Sequence, residues 1–148
     1  MALQESPQAF GASYEESVVL LETEAASRLS PKDGGFVLGA FDNDLLGIVG
    51  LARHPGIKVR HKATIWGVYV VPEARGRGIA RLLLENLLNR CQTVDGLEDV
   101  VLSVVTTNAS AKKLYQSLGF EIYGLEKRAL KVAGKYNDEE LMALHLGR

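Results

Sequence analysis

The feature that most constrains the fold is a strand-to-helix transition in the middle of the chain, at residues 70–80. Residues 60–71 are rich in β-forming side chains and stop at Pro72, which has no N–H to give to a ladder. From Gly78 to Cys91 the apolar residues recur at helical intervals, with charged residues mostly on the other side. A strand that leads over a short connection into an amphipathic helix predicts helices packed on a β-sheet.

Strand and helix signals alternate along the rest of the chain. Apolar, β-branched runs predict strands over residues 36–41, 45–54, 99–105, 120–132 and 139–146. Short polar turns are predicted between the first two of these strands, at Asp42 to Asp44, and between the last two, around Gly134, Asn137 and Asp138.

Two further helices are predicted. Ser13 and Glu16 have capping-box spacing before a helical apolar pattern over residues 14–28, and residues 109–118 form a helical pattern that ends at Gly119. The resulting order is a helix followed by β-β-β-α-β-α-β-β. We therefore expect an α+β (α/β) fold, a mixed sheet flanked by helices, in one domain over residues 1–148.

Composition and charge narrow the class of partner. The chain has 148 residues, 47% of them hydrophobic and 24% charged, and its formal charge is −1, so no global field favours nucleic acid. Cys91 is the only cysteine, which excludes an internal disulfide and a thiolate metal site, and no metal is expected. No signal peptide and no apolar run of the roughly 20 residues that span a bilayer is present, so a cytoplasmic protein without a membrane partner is expected.

The connection into the central helix has the composition of an anion-binding turn. Glycines let the backbone approach a ligand, the first helical N–H groups point outwards, and nearby arginines add positive charge. A dinucleotide fingerprint would need Gly or Ala at Arg81, and no Gly-Lys-Ser/Thr run of a nucleotide triphosphate loop exists. The residues of this turn are Arg75, Gly76, Arg77, Gly78, Ile79 and Ala80.

Two motifs in this order resemble those of the GNAT superfamily of acetyl-CoA-dependent N-acetyltransferases. Arg75, Gly78 and Ala80 match the family's Q/R-x-x-G-x-G/A pattern after a strand that ends V-x-P. The second motif, an Asn before a helix that ends L-Y-x-x-L-G-F, matches Asn108 and the run from Leu114 to Phe120. The resemblance implies the acyl-CoA N-acyltransferase fold with acetyl-CoA as cosubstrate.

The resemblance also implies roles for particular residues. The backbone of Val70 and Val71 would pair with the pantetheine arm, and the amides from Arg75 to Ala80 would hold the pyrophosphate. Asn108 would hydrogen-bond the arm, and Tyr115 would give a proton to the leaving thiolate. A primary amine of a small molecule, peptide or protein would attack the thioester directly, without a covalent enzyme intermediate.

The general base is left open by the sequence. Many relatives carry a Glu at a position that here is Thr64, which cannot accept a proton near neutral pH. His54, His61 and Glu126 are alternatives, and loss of the proton to solvent would need no base. If the chain has no general base, the alternative function is a non-catalytic acyl-CoA-binding or sensor module. A third interpretation, an NAD- or nucleotide-binding protein, is supported only by the glycine-rich turn.

The remaining features have plain structural interpretations beside functional ones. Cys91 lies on the apolar side of its helix and is expected in the core; Trp66 and Tyr69 are either core or acceptor-pocket wall. Lys112 and Lys113 form a solvated face that can also meet the cofactor's 3′-phosphate. Relatives usually begin with a strand and a helix before the element that starts at Met1, and the first strand is expected to be missing here. The alternatives are a truncated chain, a misassigned start, or a sheet edge completed otherwise, for example by a partner subunit in a homodimer.

Overall fold

The computed structural model describes residues 19–24 and 35–147. They form two compact units. One holds the described residues up to Arg53 together with Ile65–Asp95, and the other holds His54–Thr64 and the residues from Gly96 onwards. The strands are β1 (Val19–Glu24), β2 (Phe36–Asp42), β3 (Asp44–Arg53), β4 (Lys62–Val70), β5 (Asp99–Val105), β6 (Glu121–Val132) and β7 (Lys135–His145), and the helices are α1 (Ile79–Cys91) and α2 (Ala109–Ser117).

In the first unit the strands are ordered β1-β2-β3-β4. β1 and β2 are antiparallel, as are β2 and β3, which are joined by a tight turn at Asn43. Asn43 has a φ of 66°, a left-handed conformation that asparagine tolerates better than most residues. The predicted hairpin turn between these two strands is confirmed.

Helix α1 packs on β2 and β3 through the apolar side that the sequence predicts. Leu83, Leu84, Leu87 and Cys91 have no exposed surface. A Cβ at Gly47 on β3 would lie 3.1 Å from Ile79 and 3.2 Å from Leu83, so the helix approaches the strand closely where a side chain is absent. Full burial of each leucine contributes roughly 1.5–3 kcal/mol, which makes this contact a main source of the unit's stability.

The second unit contains the mixed part of the sheet, in the order β4-β5-β7-β6. The start of β4 pairs with β5 in parallel, from Lys62 with Asp99 to Thr64 with Val101. β7 is antiparallel to both β5 and β6. The predicted mixed sheet with helices is therefore confirmed as the fold class.

The two faces of this part of the sheet differ. Helix α2 lies on the face of β7 that carries Glu140 and Met142. This placement follows from the hydrogen bond from Lys112 Nζ on the helix to the Glu140 carboxylate. Val100, Leu102 and Val104 on the same face are buried, whereas Ser103 on the opposite face is exposed. We call this opposite side the open face; the paired residues on it are Lys62, Thr64, Asp99, Val101, Ser103, Val105, Glu139, Leu141, Ala143 and His145.

The N-terminal prediction is wrong where the structure describes it. Val19–Glu24 is a strand that pairs with β2 from Val19 with Phe41 to Glu24 with Phe36, not part of a helix over residues 14–28. The sheet thus has a strand before β2 that the sequence did not predict. The rest of the predicted helix, and Leu3 to Gly11, lie outside the described residues.

Two strand boundaries also differ from the prediction. β4 begins at Lys62 rather than at residue 60, because residues 57–61 form turns. β7 begins at Lys135, so Asn137 and Asp138 are in the strand and the turn consists of Ala133 and Gly134. Both turn residues have positive φ, which supplies the tight reversal.

Candidate active site

The turn predicted to bind an anion follows β4 in the first unit. The N–H of Val71 donates to the carbonyl oxygen of Leu46 at 2.8 Å, the last link to β3, and a single 3-10 turn at Pro72–Ala74 follows. Gly76 and Gly78 then adopt φ values of 78° and 80°. Side chains other than glycine rarely adopt this conformation, so the two glycines set the path of the turn.

The same glycines leave open space beside the start of α1. A Cβ built at Gly76 or Gly78 would have no other atom within 4 Å. Gly78 is the N-cap residue, and no side chain caps the helix. The first N–H groups of a 13-residue helix therefore end at an open surface, which suits an anion. We call residues 75–80 the cradle.

Arg75 is oriented by the strand end. Its Nε donates to the carbonyl oxygen of Val70 at 2.9 Å, and its guanidinium carbon lies 5.6 Å from the centre of the Tyr69 ring. A carbonyl oxygen has a second lone pair, so Val70 can still accept another hydrogen bond. The exposed Arg75 places a positive charge beside the cradle.

The other members of the cradle differ in what they can offer a ligand. Ile79 is buried against β3, so only its backbone can face a ligand. Arg77 and Ala80 are partly exposed. Together with Val70 and Val71, all the predicted pyrophosphate and pantetheine residues except Asn108 lie in the first unit.

Asn108 begins helix α2 in the second unit. Its Oδ1 accepts from the Ala111 N–H at 3.2 Å and from the Ser110 hydroxyl at 3.3 Å, so Asn108 is the N-cap of this helix. The carbonyl half of the side chain is therefore engaged, and the Nδ2 group is the half that can donate to a ligand. The cap also fixes the direction of the helix that carries Tyr115.

Tyr115 lies seven residues after Asn108 and is 7% exposed. Its ring meets Phe120 edge to face, with the ring centres 6.1 Å apart. Burial raises the pKa of the Tyr115 hydroxyl above its ordinary value of 10.0. The side chain is thus both a packing residue and a phenol that keeps its proton at neutral pH.

Comparison with known proteins agrees with these two motifs. The model of the acetyltransferase (GNAT) family matches residues 2–120. This chain belongs to the GNAT family.

One curated relative is the ribosomal protein bS18-alanine N-acetyltransferase of Salmonella typhimurium, 35% identical over 86 residues, which cover 58% of this chain and 57% of the relative. The GNAT chain described here thus spans less than two thirds of that relative. A GNAT acetyltransferase structure from Streptococcus pneumoniae superposes with a TM-score of 0.73 at 30% identity, covering 76% of this chain and 68% of the other. A phosphinothricin acetyltransferase from Sinorhizobium meliloti in complex with acetyl-CoA gives 0.71 at 28% identity, covering 79% and 64%.

The base candidates of this GNAT chain have different surroundings. His54 Nε2 and Thr64 Oγ1 form a partly buried hydrogen bond of 2.7 Å. The carbonyl oxygen of His61 accepts the N–H groups of Glu98 and Asp99, which ties its backbone to the start of β5. Glu126 is exposed on β6. Among these candidates, His54 has a specific side-chain contact with the residue at the expected base position.

That contact was not predicted from the sequence. His54 and Thr64 are ten residues apart, and the N–H of His54 donates to the carbonyl oxygen of Lys62, which sets the register. The feature that could have revealed the pair is the antiparallel pairing of β4 with β3. In such a pairing, alternate side chains of each strand lie on one face of the sheet, where His54 and Thr64 can meet.

The other side chains singled out in the sequence divide into core, site wall and ion pair. Cys91 is buried, so the core prediction is confirmed. Trp66 and Tyr69 are 41% and 49% exposed, which excludes full burial for both. Lys113 is exposed, whereas Lys112 is only partly exposed and pairs with Glu140 at 2.7 Å.

The described residues hold neither a candidate metal site nor a membrane-spanning helix. Residues 19–24 and 35–147 contain no group of three or more His, Cys, Asp or Glu side chains that could hold a metal ion. In the same part of the chain, neither helix is long and apolar enough to cross a membrane.

Proposed function

We propose that this chain transfers the acetyl group of acetyl-CoA to a primary amine, and that residues 1–148 act as one N-acetyltransferase domain. The observation that carries the proposal is the cradle: two glycines with left-handed φ and open space beside an uncapped helix, in a chain that belongs to the GNAT family. These features suit the pyrophosphate of CoA.

The residues present fit acetyl-CoA in shape and charge. A Cβ at Gly76 or Gly78 would fill the space that a pyrophosphate needs, and Arg75 and Arg77 supply positive charge. Val70 and Val71 at the end of β4 are proposed to hydrogen-bond the pantetheine arm. The Asn108 amide is proposed to donate to the same arm, since its Oδ1 is already occupied by the helix cap.

When bound, acetyl-CoA supplies an activated acyl group and a thiolate leaving group. The neutral amine is proposed to form the new C–N bond as the C–S bond breaks, in a ternary complex. Tyr115 is proposed to give its proton to the departing sulfur; burial raises the pKa of its hydroxyl, so the proton is present at neutral pH. Tyr115 then regains a proton from solvent, and the amine loses one to a base.

The acceptor is proposed to be a primary amine of a small molecule or of a peptide or protein. The two named relatives act on an alanine of a ribosomal protein and on phosphinothricin, so both classes occur among similar proteins. The test is acetyl-CoA consumption with a panel of amines, amino acids and peptides, beside calorimetric CoA binding. Binding of CoA without turnover of any amine would favour the non-catalytic acyl-CoA module instead.

A further inference from the structure

His54 and Thr64 form a pair whose chemistry the cofactor cradle does not explain. The His54 ring and the Thr64 hydroxyl are joined by a 2.7 Å hydrogen bond, and both side chains are partly exposed. An imidazole is the side chain that most readily changes charge between pH 5 and 8. A hydroxyl that donates to a neutral imidazole can pass a proton on to it.

The pair lies on the open face of the second unit. Thr64 is paired with Val101 of β5, and its neighbour Ala63 is buried on the opposite face, where α2 packs. Along β5 the open face continues to Ser103, which is exposed. Within residues 19–24 and 35–147, this surface therefore includes one exposed and two partly exposed polar side chains, Ser103, Thr64 and His54.

A base is needed because a primary alkyl amine is protonated near neutral pH, as the lysine side chain is, with a pKa of about 10.4. Only the neutral amine has the lone pair that attacks a carbonyl carbon. The proton must therefore leave before or during the attack.

We propose that His54, acting through the Thr64 hydroxyl, is the general base that removes this proton. The inference rests on the proposed function. The ammonium N–H bond breaks, and its electron pair stays on nitrogen. The proton reaches the Thr64 oxygen only as the hydroxyl's own proton passes to His54 Nε2, so Thr64 relays the proton without holding a charge. The resulting imidazolium releases the proton to solvent, since His54 is partly exposed.

Charged residues flank the pair before β4 and at the start of β5. Lys58, Arg60 and His61 precede β4, and Lys62 is the residue opposite His54. Glu98 and Asp99 lie at the start of β5, and Asp99 is hydrogen-bonded to His145 at 2.9 Å. The side-chain group that His54 itself contacts is the Thr64 hydroxyl.

The other candidates lack this combination. His145 pairs with Asp99 and is 58% exposed. Glu126 is exposed on β6 and lies opposite another carboxylate, Glu139, in the ladder. His54 alone of these groups combines an imidazole with a hydrogen-bonded hydroxyl on the open face.

The test is the pH dependence of kcat/KM in His54→Gln, Thr64→Val and Thr64→Ser, with an amine that the wild type acetylates. General base catalysis contributes typically 10²–10⁴-fold, so we expect His54→Gln to lose roughly that factor at pH 7. In the plot of kcat/KM against pH, His54→Gln should lose the rise that falls in the range where imidazoles titrate. Its kcat/KM should instead increase steadily towards alkaline pH. Thr64→Val should behave similarly, and Thr64→Ser should restore the rate.

His145→Gln is the control, because it removes an imidazole that is exposed and bound elsewhere, and its profile should match the wild type. The KM for acetyl-CoA should not change in any variant. Thr64→Val keeps the shape of the side chain, so it tests the relay even if His54→Gln does not fold. If His54→Gln and Thr64→Val both keep the pH profile of the wild type, the base assignment is wrong but acetyl transfer stands. If the wild-type protein binds CoA but acetylates no amine, both acetyl transfer and the base assignment are wrong.

Discussion

The Nε of Arg75 donates to the carbonyl oxygen of Val70 at 2.9 Å, which ties the first residue of the cradle to the end of β4. The hydrogen bond joins residues only five positions apart, and it holds the positively charged Arg75 guanidinium beside the open surface at the start of α1. Arg75 is exposed, so its role is expected in ligand binding more than in stability.

Arg75→Ala should weaken CoA binding by about 10-fold or more, because a hydrogen bond to a charged group is worth about 1.5–3 kcal/mol. The melting temperature should change little, since exposed substitutions usually stay within about 0.5 kcal/mol. Calorimetry measures the affinity. Arg90→Ala removes the same charge at the far end of α1 and should leave CoA binding unchanged; equal losses in both would point to a general charge effect.

Gly78→Asp should abolish measurable CoA binding, because a carboxylate would occupy the space for the pyrophosphate. Gly134→Asp is a matched control: Gly134 has a φ of 79° and equally open space, but it lies in the β6–β7 turn. Both variants carry the same backbone strain, about 1–2 kcal/mol. CoA affinity lost equally in both, or in neither, contradicts the cradle.

Tyr115→Phe should lower kcat by roughly 10²–10⁴-fold with little change in acetyl-CoA affinity, since it keeps the ring against Phe120 and removes only the hydroxyl. Steady-state kinetics with an active amine, beside CoA calorimetry, measure both quantities. Unchanged turnover would leave Tyr115 with a packing role alone.

The buried Tyr115 hydroxyl should also make stability fall at alkaline pH. Its pKa is raised in the folded state, so its contribution is fully present below about pH 10 and is lost as the pH rises through the folded pKa. Unfolding in denaturant from pH 7 to 11 should show a smaller alkaline loss for Tyr115→Phe than for the wild type. Tyr123→Phe, at an exposed tyrosine on β6, should keep the wild-type slope.

Lys112→Ala should destabilise the protein by about 1–2 kcal/mol, between the values of exposed and buried pairs, because it leaves Glu140 without its partner. Lys113→Ala, at the exposed neighbour, should cost less than about 0.5 kcal/mol. Thermal unfolding compares the two. If the melting temperature falls by a similar amount in both variants, the Lys112–Glu140 pair contributes no more to stability than the difference in helix propensity between lysine and alanine.

The cradle could be predicted from the sequence because its geometry is set locally. Two glycines, a preceding proline and an amphipathic run determine the turn and the start of α1 without help from distant residues. The same holds for the Asn108 cap, whose partners Ser110 and Ala111 are two and three residues away.

The N-terminal helix prediction failed because residues 18–29 carry apolar spacing that fits a helix, while Val19–Glu24 can equally form a strand. A short apolar run does not distinguish these states, and antiparallel pairing with β2 decided between them. The ion pair of Lys112 also depended on the tertiary structure, because its partner Glu140 is 28 residues further along the chain.

The sequence by itself determined the conformation of the turn before α1 and the Asn108 cap of α2, because backbone conformation and helix capping depend on neighbouring residues. Only the tertiary structure decided which base candidate meets Thr64. His54 reaches it because β4 returns beside β3 in one register, and a shift of one residue would turn the two side chains to opposite faces.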